Sequence, residues 1–180
     1  MRCFIAIDLP AEVKMELAKV QNELPAEDVK STNVNPELLH LTLRFFGEIS
    51  DLRADKIKEI LNKIKFNKFK ARLDSIGIFS NEDFIRVVWV GLEPAEKFKE
   101  IKTIIEGEIE KAGFEKNEKF ESHITLTRIK WLKDKQNFAE KIKKIKIRPI
   151  EFEVSDIKLK KSILSPKGPN YEDIFKINLI

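Results

Sequence analysis

The chain has one cysteine and two histidines in 180 residues. A single thiol cannot form an internal disulfide, and Cys3, between Arg2 and Phe4 in an apolar run, reads as a small buried residue in a reducing setting. No stretch approaches the roughly 20 apolar residues that a membrane-spanning helix needs. The apolar run in the opening MRCFIAIDLP ends at Asp8, too short for the core of a secretion signal. Low-complexity sequence and long linkers are also scarce. Disulfide scaffolds, membrane spans and disordered tails are therefore excluded, and a cytoplasmic protein is expected.

What is present is an ordinary folding composition, 42% hydrophobic and 36% charged. A chain of this length buries enough apolar surface to fold as one domain without a metal or disulfide. The net charge of +4 is compatible with an anionic partner such as RNA, but the 34 Lys and Arg are interleaved with 30 Asp and Glu, so charge alone does not select one.

The two histidines open nearly the same phrase, HLTL at 40–43 and HITL at 123–126. Their surroundings repeat as well. IAIDLPAE at 5–12 resembles VWVGLEPAE at 89–96, each an apolar strand running into a proline suited to the start of a helix. Val13, Leu17, Val20 and Leu24 follow the first at helical spacing, and Phe98, Ile101, Ile105 and Ile109 follow the second. A charged second helix is predicted from Ser50 and another from Lys133. Strand pairs close each unit, KARLDSIGIF through SNED into FIRVVWV, and EFEVSDIKLKKSIL through SPKGPN into YEDIFKINLI. The chain thus reads as β-α-β-α-β-β twice, about 1–87 and 88–180. Such duplicated halves pack about a pseudo-twofold axis, with a cleft between them for a shared site.

On a strand, alternate residues share a face. His40 and Thr42 would then look out while Leu41 and Leu43 anchor the core, and His123 and Thr125 would look out opposite Ile124 and Leu126. Two imidazoles on one cleft suit paired proton transfer, one taking a proton while the other gives one. Phosphodiester cleavage beside a sugar hydroxyl has that need, because attacking water loses a proton and the departing alkoxide gains one. Threonine hydroxyls and an arginine would hold the non-bridging oxygens. Strict alternation favours Arg44 for this task. Arg128 would need a bulge or a strand end to reach the cleft.

Other readings of the same residues are a purely structural pair of strand histidines and a metal site completed by Glu37 or Glu121. Neither glutamate has a ligand spacing that recommends it, and no metal or other cofactor is expected. A non-catalytic RNA-binding module and a phosphodiesterase for small cyclic nucleotides stand as alternative functions.

VNPELLHLTLRFFGEI and FESHITLTR resemble the two motifs of the two-histidine phosphoesterase superfamily, in particular the RNA 2′,3′-cyclic phosphodiesterase family also called 2′-5′ RNA ligase. The resemblance spans the chain, through a closing KKSILSPKGPNYEDIF. It implies an α+β fold in which two antiparallel sheets face a central cleft with helices outside, one lobe built from both chain ends and one from the middle. It further implies hydrolysis of a 2′,3′-cyclic phosphate RNA end to a 2′-phosphomonoester, without a metal, and reverse joining of tRNA halves; a monomer is expected because the duplication already supplies a twofold arrangement. His40 matches the proton donor and His123 the proton acceptor, with Thr42, Thr125 and Arg128 on the phosphate. Tyr171 and Phe46 are candidates to stack on the base, although at most one of Phe45 and Phe46 should face the cleft. The family often has proline before the second motif, where this chain has Ser122, so the backbone leading into that strand is expected to differ.

Overall fold

A computed structural model describes every residue except Glu82, Asp83, Glu118 and Lys167. The predicted SNED and SPKGPN turns fall partly on these and so lie partly outside the described residues. The element order is β1 (Arg2–Asp8), α1 (Ala11–Glu23), β2 (Val29–Asn33), a 3-10 turn (Pro36–Leu38), β3 (His40–Glu48), α2 (Asp51–Lys63), β4 (Phe69–Ser80), β5 (Ile85–Glu93), α3 (Ala95–Lys111), β6 (His123–Leu132), α4 (Lys135–Lys144), β7 (Glu151–Val154), β8 (Asp156–Ser165) and β9 (Gly168–Asn178).

The helices begin where the sequence directs. Pro10 and Pro94 precede α1 and α3. Ser50 and Asp134 cap α2 and α4 with side-chain oxygens that accept from Arg53 N and Asn137 N, satisfying donors that a helix start leaves open. The predicted apolar stripes are inward: Val13, Leu17 and Val20 of α1 are buried, and Phe98, Ile101, Ile105 and Ile109 of α3 are wholly so. Full burial of each such large side chain contributes about 1.5–3 kcal/mol. Ile5, Ile7, Leu41 and Ile124 join these helices in one core. Cys3 lies in it too, and burial raises its thiol pKa. No helix among the described residues is long and apolar enough to cross a membrane.

All strand pairings are antiparallel, in the order β7-β4-β5-β6-β3-β1-β8-β9, with β2 on β6. The strands form one continuous antiparallel sheet rather than two, and its halves are joined between β3 and β6 by a single pair, Leu41 with Ile124. The strand that closes the first unit and the strand that opens the second are the same strand, β5, so the repeats share it. The stretch EFEVSDIKLKKSIL, read as one strand, divides at Ser155. β7 pairs with β4, while β8 pairs with β1 and β9. Ser155 O accepts from Leu179 N (2.8 Å), which anchors the crossing between the halves of the sheet.

Candidate active site

Leu41 and Ile124 are equivalent in the two repeats, and both are fully buried. Extending their antiparallel register sets His40 against Thr125 and Thr42 against His123. The four polar residues fall on the face away from the helices and line one solvent-open cavity with Arg128 and Tyr171.

Each histidine is oriented by its own backbone. His40 Nδ1–H donates to Leu38 O (2.7 Å) and His123 Nδ1–H to Glu121 O (2.8 Å). A carbonyl can only accept, so Nδ1 carries a hydrogen and Nε2 is the nitrogen that changes protonation. His40 Nε2 lies 3.0 Å from Thr42 Oγ1, which donates to the neutral ring. Phe4 and Tyr171 pack around His40, with centroids at 5.0 and 5.4 Å, and Phe79 stands edge-on to His123 at 4.8 Å. Burial in these settings pushes both imidazole pKa values down, and their carbonyl bonds only partly counter it. For His40, Lys160 adds to the lowering and Asp8 opposes it.

Two bulges decide which arginine reaches the cavity. In β3, Ile5 pairs with Arg44 but Ala6 with Thr42, so Leu43 is an extra residue. In β6, Val88 pairs with Thr127 but Trp89 with Thr125, so Leu126 is extra. Each bulge reverses the alternation beyond it. Arg128 thereby joins the cavity face, which it needed a bulge to do, while Arg44 turns inward. Arg44 is 6% exposed, pairs with Glu106 (3.0 Å) and donates to Glu115 O (2.6 Å). This corrects the expectation from strict alternation. Phe45, equivalent to Arg128 in the first repeat, lines the cavity. Phe46 packs against Phe114 and the Arg44 guanidinium instead, so it is not a base-stacking residue.

The sequence reading missed two contributors. Gln21 on α1, 5% exposed, donates through Nε2 to Val34 O and Leu126 O (both 2.8 Å), securing the bulge that aims Arg128. A glutamine within the buried stripe Val13-Leu17-Val20 was the available signal. Asp8, opposite His40 in register, forms a cluster with Lys158, Lys160 and Asp173 at 2.6–3.0 Å. Burial acts to raise the two carboxyls, but the lysine hydrogen bonds outweigh it and hold both below the ordinary range. Ser122, the departure from proline, donates through its hydroxyl to Leu92 O (2.9 Å) while its carbonyl accepts from Leu92 N (3.0 Å). The start of β6 is therefore tied to β5. Among the described residues no three His, Cys, Asp or Glu side chains cluster as a metal would require.

A duplicated α+β chain with a histidine and a threonine from each half on one cavity defines a two-histidine phosphoesterase, and this chain belongs to the LigT like phosphoesterase family. That family's model matches it twice, at residues 7–89 and 90–171, dividing it within β5. An RNA 2′,3′-cyclic phosphodiesterase of Methanocaldococcus jannaschii is 38% identical over 179 residues, covering 97% of this chain and 98% of that protein. One of Thermotoga maritima is 33% identical over 178 residues, covering 98% and 94%. The crystal structure of E. coli LigT complexed with 3′-AMP is similar with a TM-score of 0.79 at 26% identity, covering 99% of this chain and 97% of that one.

Proposed function

We propose that the protein hydrolyses RNA 2′,3′-cyclic phosphate ends to 2′-phosphomonoesters by acid-base catalysis without a metal. The observation that carries this reading is the pair of imidazoles on one cavity, each with Nδ1–H committed to a backbone carbonyl and Nε2 left for proton transfer. His123 Nε2 takes a proton from water as the water oxygen bonds to phosphorus, in line with the 3′ oxygen. The P–O3′ bond breaks, and His40, protonated at Nε2, gives its proton to O3′. The order of the two roles follows the family resemblance. Thr42, Thr125 and Arg128 hold the non-bridging oxygens, where charge is stabilised in the transition state. With a 5′-hydroxyl in place of water, the same step joins tRNA halves by a 2′-5′ linkage. Tyr171, edge-on to His40, is the aromatic residue we assign to the nucleoside.

The activity named for the M. jannaschii and T. maritima relatives supports this substrate class. In this reading the chain is one domain of two lobes, one built from both chain ends and one from the middle, that acts as a cytoplasmic monomer. The test offers cyclic-phosphate RNA, small cyclic nucleotides and tRNA halves in parallel with EDTA present. Loss of about 10²–10⁴-fold in His40→Ala and in His123→Ala is expected for RNA hydrolysis. Full turnover by either variant overturns the acid-base pair, dependence on added metal overturns the metal-free step, and binding without turnover favours a binding module.

A further inference from the structure

We propose that the face of β2 and β6 beyond the cavity is a track for the single-stranded RNA adjoining the cyclic end, with Trp131 as its stacking platform. The proposal rests on reading the cavity as an RNA-end site.

β2 pairs with β6 through Thr32 with Arg128 and Lys30 with Trp131, and the extra residue Lys130 forms a bulge between them. Directly opposed residues share a face, and so do Lys30 and Thr32, two apart on β2. Arg128, which lines the cavity, therefore has Thr32, Lys30 and Trp131 on its own side of the sheet. The other side is occupied: Val29, Ile129 and Leu132 pack with Phe138 and Ile142 of α4. Trp131 cannot enter that core and stands 47% exposed on the cleft side.

The nearby Asp28 carboxylate is paired with Lys133 (3.6 Å) and leaves the cations along this face uncommitted. Lys30, Lys130 and Arg128 are exposed, and among the described residues no ion pair engages any of them. Some helix-surface lysines are committed instead: Lys56 and Lys97 each pair with an acid three residues on. An exposed indole in line with uncommitted cations matches how proteins hold single-stranded nucleic acid, with bases on the aromatic face and phosphates on the cations. Because Lys130 is an extra residue, Trp131 lies two strand steps beyond Arg128, as Lys30 does from Thr32, about 7 Å at ordinary strand rise. A phosphate held at Arg128 thus leaves Trp131 to the base of an adjoining nucleotide. The favoured substrate is an oligonucleotide rather than a nucleoside cyclic phosphate.

The test compares kcat/KM for a cyclic-phosphate oligoribonucleotide and for a nucleoside 2′,3′-cyclic phosphate, in wild type, Trp131→Ala and a Lys30→Glu, Lys130→Glu double variant. Oligonucleotide turnover should fall about tenfold in Trp131→Ala, more steeply at low salt in the double variant, with mononucleotide turnover unchanged. A second arm measures binding of an oligoribonucleotide ending in a 2′-phosphate, which needs no turnover. About tenfold weaker binding by Trp131→Ala supports the track even if no substrate is hydrolysed, an outcome that overturns only the catalytic reading. Equal oligonucleotide binding by wild type and Trp131→Ala overturns the track.

Discussion

An imidazole whose Nδ1–H is committed to a backbone carbonyl has one nitrogen left to titrate, and burial sets where it does so. His123 as base must be neutral, and its lowered pKa keeps it neutral to lower pH. His40 as acid must be protonated, and its lowered pKa removes the acid form earlier as pH rises. Both limbs of the bell therefore move to the acid side, and kcat/KM should peak below about pH 6.5, the unperturbed imidazole value. A maximum on the alkaline side, with chemistry rate-limiting, contradicts the assignment. Asp8 opposes the lowering of the His40 pKa. Asp8→Asn, which removes that opposition and leaves Lys160 paired with Asp173 alone, should shift the alkaline limb further toward acid, a movement that a merely structural role would not produce. The two arginines separate in the same way. Arg128→Ala should lose activity with little change in stability. Arg44→Ala should destabilise by about 1–3 kcal/mol, because Glu106 and Glu115 O lose its guanidinium while Glu106 keeps its buried partner Lys102. Thermal melts and turnover, measured together, distinguish the two.

At the scale of elements, the bulges at Leu43 and Leu126 are what the alternating reading of HLTLR and HITLTR could not contain. A period of two places His40 with Thr42 and His123 with Thr125 correctly, and fails at Arg44 and Thr127, two residues beyond each threonine. Nothing in the local sequence marks either extra residue. What holds the second bulge comes from far along the chain, with Gln21 on α1 reaching Leu126 O. Replacing Gln21 by Leu would leave Leu126 O bonded only by Val34 N, and Val34 O without that bond. A loss of about 1–3 kcal/mol in stability is expected, together with reduced turnover from a displaced Arg128. Unchanged kinetics in Gln21→Leu would separate the bulge from this contact. Helix positions were far more legible, because a stripe at 3.6-residue spacing and a proline before the first turn are local signals.

At the scale of the molecule, the chain's two ends meet in the half of the sheet formed by β3, β1, β8 and β9, where Asp8 bonds Lys158 and Lys160 about 150 residues away. Carboxyl pKa values held below the ordinary range contribute stability above about pH 4, the unfolded value, and lose it as pH falls through the lowered folded values. The lowered histidine pKa values act from a higher pH. The unfolded chain protonates them below about 6.5 while the folded chain resists. Melting temperature should therefore fall on acidification in two stages, first below about pH 6.5 and again below about pH 4. His40→Gln should reduce the first stage and Asp8→Asn the second. A missing stage would show that the corresponding group is not coupled to folding. By itself the sequence determined the duplication, the helices and the two histidine-threonine faces, because periodicity, prolines at helix starts and strand alternation are written in neighbouring residues. Only the tertiary structure decided that β5 serves both repeats, that Arg128 rather than Arg44 and Phe45 rather than Phe46 reach the cavity, and that Asp8 stands beside His40. These depend on strand register and bulges, which contacts between distant segments select and no short stretch encodes.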